Sequence, residues 1–150
     1  MLTIESLEGL KAMVGKELGT SGWYLVDQAK IDAFAQSTED FTVIHVDEAK
    51  ARAAGLATTI AHGLFTLSLG PKFLFEIWNV SGFSLGLNYG FEKVRFLTPV
   101  PCGSRLRMSA TLSDIKAIPG GHRFAIHEVF EIEGQAKPAC VADALIAFYS

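Results

Sequence analysis

The sequence predicts an α+β fold in which an antiparallel β-sheet wraps around one long, buried helix. Two observations carry this prediction. From Ile60 to Ile77 the chain is apolar on nearly every side of a helix, as in a helix buried at the centre of a protein. After Gly82, extended segments alternate with Pro- and Gly-containing turns, as in an antiparallel meander. At 150 residues, we expect a single domain spanning residues 1–150.

Capping residues mark three helix starts before the central helix. Ser6 precedes a short helix that Gly15 ends, and Asp27 precedes a second helix with Ile31 on its apolar face. Asp47 precedes a third helix, expected to span Glu48–Ala54. The segment between the second and third helices, residues 38–46, has no clear period and is predicted to be a loop.

The central helix is expected to begin at Ile60 and to bend or restart at Pro71, which lacks a backbone N–H. Strands are predicted before and after it. They are a short one ending in Trp23–Val26, and then Phe83–Leu87, Tyr89–Leu97, Arg105–Ile115, His122–Ile132 and Pro138–Tyr149. Glu128 interrupts the alternation of apolar residues in the fourth of the five later strands.

Composition excludes several classes of function. The net charge is −3 and no basic block appears, which argues against a nucleic-acid partner. The two cysteines, Cys102 and Cys140, lack metal-type spacing and are typical of thiols in a reducing cytoplasm, although their pairing stays open. Lys72 and Glu76 interrupt the most apolar stretch, so we expect no membrane span and a cytoplasmic protein.

Three residues around the start of the central helix have the character of a catalytic site. Asp40 and His45 lie five positions apart, and Gly63 lies near a helix start, where free N–H groups suit a developing anion. From spacing alone, a polar loop with Asp40 capping a turn and His45 exposed is the simpler interpretation.

Segments along most of the chain resemble the MaoC-like, (R)-specific enoyl-CoA hydratase family of hotdog folds, and in particular its branch related to nodulation protein N. Each segment is short, and their order and spacing together carry the resemblance. They are Ile31–Ala35, Asp40 with Ile44–Asp47, Ile60–Gly63 with Thr66–Leu69, Asn88–Gly90, Lys93–Phe96 and Pro99–Val100.

This resemblance implies a hotdog fold and hydration of trans-2-enoyl-CoA to (R)-3-hydroxyacyl-CoA, or the reverse dehydration. It implies that Asp40 and His45 are the catalytic pair and that the Gly63 N–H holds the thioester oxygen. No cofactor is expected beyond the CoA of the substrate, and a homodimer or dimer of dimers is expected. The acyl chain length, pathway and direction of flux stay open.

Four further residues are candidates for substrate binding. His62, at the helix start, is expected to bond a nearby carbonyl, and Asn88, Lys93 and Arg95 are expected to contact the CoA phosphates or the thioester. A metal site of His45, Asp47 and His62 is the alternative for this region. We expect no metal, because Asp47 is more simply explained as a helix cap.

Two other functions stay open. A hotdog thioesterase would use the same helix start to polarise the thioester, but residues 61–75 hold no acid. A non-catalytic acyl-ligand binder is suggested because Glu39, Thr42 and Val43 replace the Gly, Asn and Pro of the common family motif Gly-Asp-x-Asn-Pro-(Ile/Leu)-His. Gly and Pro restrict the backbone in ways that Glu and Val do not.

Overall fold

The computed structural model describes residues 1–150, with six helices and eight strands. The helices are α1 Leu7–Lys11, α2 Gln28–Thr38, α3 Val43–Val46, α4 Glu48–Ala53, α5 Gly63–Ser68 and α6 Gly70–Ile77. The strands are β1 Leu2–Ile4, β2 Glu17–Thr20, β3 Tyr24–Leu25, β4 Trp78–Val80, β5 Leu85–Phe96, β6 Arg105–Ile118, β7 Gly121–Ile132 and β8 Cys140–Tyr149.

The main sheet is antiparallel, in the order β2–β6–β7–β8–β5, with β3 paired to the end of β6. Alternation along its strands sends one set of side chains toward the helices. Met108 on β6 and Phe130 on β7 are directly opposite each other and fully buried. The Phe130 ring meets Phe73 of α6 at a centroid distance of 6.2 Å, so helix and sheet share one core.

The predicted central helix is present, as α5 and α6 separated only by Leu69. It begins at Gly63 and not at Ile60, because Ile60 pairs in an isolated bridge with Pro101. Pro71 occupies the first turn of α6, where its missing N–H removes no helical hydrogen bond, which confirms the expected restart.

This helix is not buried on every side, which corrects the expectation drawn from its apolar sequence. Phe75 is 77% exposed and Leu64 is 62% exposed, whereas Phe73 is fully buried. The sheet covers the Phe73 side of the helix. Phe75, on the exposed side, lines a cavity with the edge strand β5, whose side chains are also largely exposed.

All three capping predictions are confirmed. Ser6 accepts from the Gly9 N–H, Asp27 from the Lys30 N–H and Asp47 from the Lys50 N–H. The helices are shorter than predicted: α1 ends at Lys11 and α4 at Ala53.

Two local predictions were wrong. Residues 38–46 are not a plain loop, since α2 extends to Thr38 and α3 forms a helical turn. The two predicted strands on either side of Asn88 are one strand, β5, because bulges at Asn88/Gly90 and Phe91/Lys93 take up the irregular pattern.

The first strand of the chain makes a contact that the sequence pattern did not reveal. β1 pairs in parallel with β4, directly after the central helix.

Both cysteines are free, and burial raises the pKa of the Cys140 thiol to about 11, with the Glu128 charge adding to the effect. None of the helices has the length and apolar character needed to span a bilayer.

Candidate active site

The Asp40 carboxylate is fixed by its own loop. Thr42 donates its hydroxyl to Asp40 Oδ1 at 2.6 Å and its N–H to the same oxygen at 3.2 Å. These bonds stabilise the charged form, so Thr42 lowers the pKa of Asp40, the hydroxyl first and the N–H second. Asp40 is therefore a carboxylate at neutral pH, and its Oδ2 remains available for a ligand.

The backbone beside Asp40 shows which conformations two departures from the family motif adopt. Glu39, in place of Gly, ends α2 at φ 58°, and it has the only positive φ among the non-glycine residues. A glycine adopts this left-handed conformation without strain. Val43, in place of Pro, is the first residue of α3, a position that suits either residue.

His45 is held in one tautomer by a backbone carbonyl. Its Nδ1 lies 2.7 Å from the carbonyl oxygen of Ile60, and since a carbonyl only accepts, Nδ1 carries the hydrogen. The neutral ring then offers a lone pair at Nε2. The Ile60 N–H in turn donates to the Ile44 carbonyl at 3.1 Å, so two bonds join the α3 turn to the segment before α5.

Gln28 of α2 adds a third restraint on His45. Its side-chain amide donates to the His45 carbonyl at 2.8 Å and accepts from the Thr59 hydroxyl at 2.5 Å. One side chain thus connects α2, the α3 turn and the segment leading to α5.

His62 is buried and stacks on His45, with ring centroids 3.8 Å apart. Its Nε2 lies 3.0 Å from the Asp40 carbonyl oxygen, as expected for a histidine at this helix start that bonds a nearby carbonyl. Its Nδ1 is buried without a partner in the chain. His62 therefore holds the Asp40 backbone by a hydrogen bond and the His45 ring by stacking.

Gly63 begins α5, whose first turn has no side-chain cap. The N–H of a first helical residue has no intrahelical acceptor and is available to a ligand. The glycine also allows close packing, because a Cβ at this position would lie 3.0 Å from ring atoms of Phe96.

Asp40, His45, His62 and Gly63 line one cavity of about 350 Å³, together with Phe34, Thr38, Leu64 and Phe96. Phe96, His45 and Gly63 also line a second cavity of about 280 Å³ that reaches Val100 and Ala139. The structure thus brings four of the predicted site residues together.

The same residues approach a metal-ligand arrangement, since one ligand atom from each of Asp40, His45 and His62 lies within 4.8 Å of the others. Asp47, considered in the metal alternative, is not among them, because it caps α4. One nitrogen of each histidine is already bonded to a carbonyl, so each ring has a single nitrogen left.

The other predicted substrate-binding residues lie on β5. Asn88 lines two cavities along the central helix, whereas Lys93 and Arg95 lie opposite Asp143 and Val141 on β8 and line none of the cavities. Their contact with a substrate stays a prediction.

Sequence reasoning missed the roles of Gln28, Phe34, Phe96 and Thr42 at this site. For Thr42, the signal was present in its position two residues after Asp40, where a hydroxyl readily bonds an aspartate. Phe34 is close to Asp40 in sequence, but its contact with the site depends on how α2 packs. Gln28 and Phe96 are farther from Asp40 along the chain, and the fold brings them to the site.

Comparisons with known proteins agree with this architecture. Residues 10–128 match the family described as "MaoC like domain". The chain is 40% identical to 3-hydroxyacyl-thioester dehydratase Z of Mycobacterium tuberculosis over 149 residues, covering 99% of each protein. It is also 40% identical to nodulation protein N of Rhizobium meliloti, covering 92% of this chain and 88% of that protein.

Among solved structures, the R-hydratase PhaJ1 of Pseudomonas aeruginosa superposes with a TM-score of 0.71 at 20% identity, covering 91% of this chain and 82% of that one. This likeness confirms the predicted hotdog fold. The family match and the full-length similarity to a 3-hydroxyacyl-thioester dehydratase confirm the expected hydratase and dehydratase class of enzyme. The chain belongs to the MaoC-like dehydratase family.

Proposed function

We propose that this protein catalyses the reversible hydration of trans-2-enoyl thioesters to (R)-3-hydroxyacyl thioesters, with Asp40 and His45 acting on one water molecule. The observation that carries the proposal is the bond from His45 Nδ1 to the Ile60 carbonyl, because it leaves Nε2 as a basic lone pair beside a carboxylate. The names of the similar proteins, a 3-hydroxyacyl-thioester dehydratase and an R-hydratase, support the same reaction.

The proposed mechanism moves one proton from water to C2 by way of His45. Before the reaction, the water molecule donates one hydrogen bond to Asp40 Oδ2 and another to His45 Nε2. As its oxygen attacks C3, Nε2 takes a proton, and the imidazolium then returns that proton to C2 on the same face, which gives syn addition. Asp40 keeps its charge and stabilises the imidazolium. Every proton transfer is assigned to a side chain, so the reaction needs no bound cofactor.

The Gly63 N–H is assigned to the thioester oxygen, where negative charge develops as water adds. Loss of one such donor typically costs about 3 kcal/mol of transition-state stabilisation. Lys93 and Arg95 are assigned to the CoA phosphates, and Asn88 is assigned to the acyl-thioester part of the substrate because it lines the cavity between the central helix and β5. We propose a dimer formed through β5.

Two structural observations rank hydration above its alternatives. Glu76, the first acid after Gly63, is bonded to Lys72 and to the Gly22 N–H, which lower its pKa, and it lies outside the cavity that a thioesterase would need. The binder alternative requires a loose loop before His45, whereas Thr42 ties Asp40 and three bonds restrain His45.

The test is hydration of crotonyl-CoA, followed by loss of absorbance of the conjugated thioester. We expect Asp40→Asn and His45→Gln each to lower kcat by about 10²- to 10⁴-fold. Asp47→Asn is the matched control, since asparagine caps a helix as well as aspartate, and its rate should match that of the wild type.

Wild-type rates in both Asp40→Asn and His45→Gln would overturn the assigned roles. Butyryl-CoA, which has no double bond, separates hydration from thioester hydrolysis, since release of free CoA thiol from it would favour the thioesterase. Tight binding of crotonyl-CoA without turnover by the wild type would favour the binder.

A further inference from the structure

Glu128 is a buried carboxyl group without a partner. It lies on the inward face of β7 between Ile126 and Phe130 and is 2% exposed. Burial is the only influence on its titration, and no hydrogen bond or ion pair from another residue reaches its oxygens. Buried polar groups nearly always have a partner, so this one requires an explanation.

The central helix makes room for this carboxyl group. A Cβ at Gly70 would lie 3.2 Å from Glu128 Oε2 and 3.4 Å from Oε1. Gly70 is the first residue of α6, and any side chain there would crowd the carboxyl group. The absence of a side chain at this position therefore lets the Glu128 carboxyl group lie against the start of α6.

The Glu128 side chain lines a cavity of about 380 Å³ between the central helix and strands β5 and β8. Most of the cavity wall is apolar and includes Leu67, Leu74 and Phe91. Phe34 and Leu64 belong both to this cavity and to the one that holds Asp40, His45 and Gly63. A chain that leaves a thioester held at Gly63 therefore reaches Glu128 by passing these two side chains.

We propose that this cavity binds the acyl chain of the substrate and that Glu128 hydrogen-bonds a hydroxyl group carried by that chain beyond C3. The inference rests on the proposed function, which supplies the thioester at Gly63. The apolar walls suit methylene groups, whereas an unsubstituted chain would leave the carboxyl group unpaired, with loss of binding.

A hydroxyl group fits Glu128 better than other polar groups do. Burial raises the pKa of Glu128 to about 7, so both protonation states are populated near neutral pH. A hydroxyl donates to the carboxylate and accepts from the acid, so it pairs with either form. A ketone pairs only with the acid, and an ammonium group only with the carboxylate.

The test compares trans-2-hexenoyl-, octenoyl- and decenoyl-CoA with their terminally hydroxylated counterparts. We expect the wild type to prefer the hydroxylated member of at least one pair by about tenfold in kcat/KM. Glu128→Leu should abolish this preference, because leucine cannot form a hydrogen bond with the hydroxyl group. Glu131→Leu is the matched control, because it makes the same change on the outer face of β7, where Glu131 pairs with Arg107 at 2.5 Å.

Binding of the saturated acyl-CoA counterparts, measured by calorimetry, separates this inference from the proposed function. If no enoyl-CoA is hydrated but the hydroxylated ligand still binds more tightly in a Glu128-dependent way, hydration is refuted and the inference stands. If hydration occurs with no hydroxyl preference at any chain length, the inference is overturned and hydration stands. Tighter binding of amine-terminated chains also overturns it.

Glu128→Gln covers the case in which the leucine variant does not fold. Glutamine keeps both a donor and an acceptor in nearly the same shape. The hydroxyl preference should survive in this variant, and its loss from a folded Glu128→Gln protein would overturn the role of hydrogen bonding.

Discussion

The Glu128 carboxyl group links stability to pH at the scale of a single residue. Its pKa in the folded chain is about 7, compared with an ordinary value of 4.5, because burial disfavours the charged form. Between these two values the folded chain keeps a proton that the unfolded chain has released. Stability therefore falls as pH rises through this window, by about 1.4 kcal/mol per pH unit and roughly 3 kcal/mol in total.

We expect Glu128→Gln to remove this contribution, because glutamine does not titrate. The measurement is urea unfolding of both proteins at several pH values between 4.5 and 8, since the difference between their curves cancels the other titrating groups. The wild type should lose stability relative to the variant as pH rises to about 7, and the difference should be constant above it. Parallel curves throughout would show that Glu128 does not titrate in this window.

At the scale of an element, the end of α2 carries strain at Glu39. Its left-handed backbone costs a residue with a Cβ about 1 kcal/mol more than it costs glycine. Glu39 is exposed and makes no side-chain hydrogen bond, so little else is lost on substitution. We expect Glu39→Gly to raise the free energy of unfolding by about 1 kcal/mol.

Ser37→Gly, two residues earlier, is the control for this prediction. It places glycine inside α2, where the substitution should lower stability by about 0.5 kcal/mol. Chemical denaturation of both variants measures the effect. Destabilisation by Glu39→Gly would mean that the loop before Asp40 depends on the glutamate side chain.

A second element-scale prediction concerns the start of α5. In Gly63→Ala the backbone N–H remains, but the new Cβ would lie 3.0 Å from the Phe96 ring, which must move. Since Phe96 also lines the site cavity, we expect kcat to fall by about 10- to 100-fold with the fold retained.

The double variant Gly63→Ala with Phe96→Leu tests whether the ring carries this effect. Recovery of kcat toward that of Phe96→Leu alone indicates that the loss comes from the clash. If the loss of activity in the double variant equals the sum of the losses in the two single variants, this account is contradicted and the defect lies in the helix start itself.

These elements also show what sequence can predict here. Local signals were sufficient for the caps at Ser6, Asp27 and Asp47, since each bonds an N–H three residues away. They were insufficient where distant segments meet. The His45 bond to Ile60 and the ring of Phe96 over Gly63 depend on the packing of separate elements. Glu128 was visible as a break in alternation, but its cavity was not.

At the scale of the whole molecule, one face of the chain is apolar and exposed. Phe75 on α6 is 77% exposed, and β5 adds five large apolar residues that are 46–56% exposed, namely Leu85, Leu87, Tyr89, Phe91 and Phe96. Apolar patches of this kind on soluble proteins mark interaction sites. The main sheet pairs β5 with β8 alone, so the other edge of β5 has free hydrogen-bonding groups.

We expect this face to join two copies of the chain, since one self-complementary patch suffices for a symmetric dimer. Leu87→Lys places a charge near its centre, and two-fold symmetry introduces that charge twice. The Kd of the dimer should rise by at least about 100-fold, as measured by sedimentation velocity across a dilution series. Val14→Lys, at an exposed apolar residue next to the Gly15–Leu112 contact of β6, is the control and should leave Kd unchanged.

Because Leu64 and Phe96 border the site cavity and are exposed in the single chain, loss of the dimer should also lower activity per chain. A wild-type protein that sediments as a monomer at micromolar concentration would contradict the prediction.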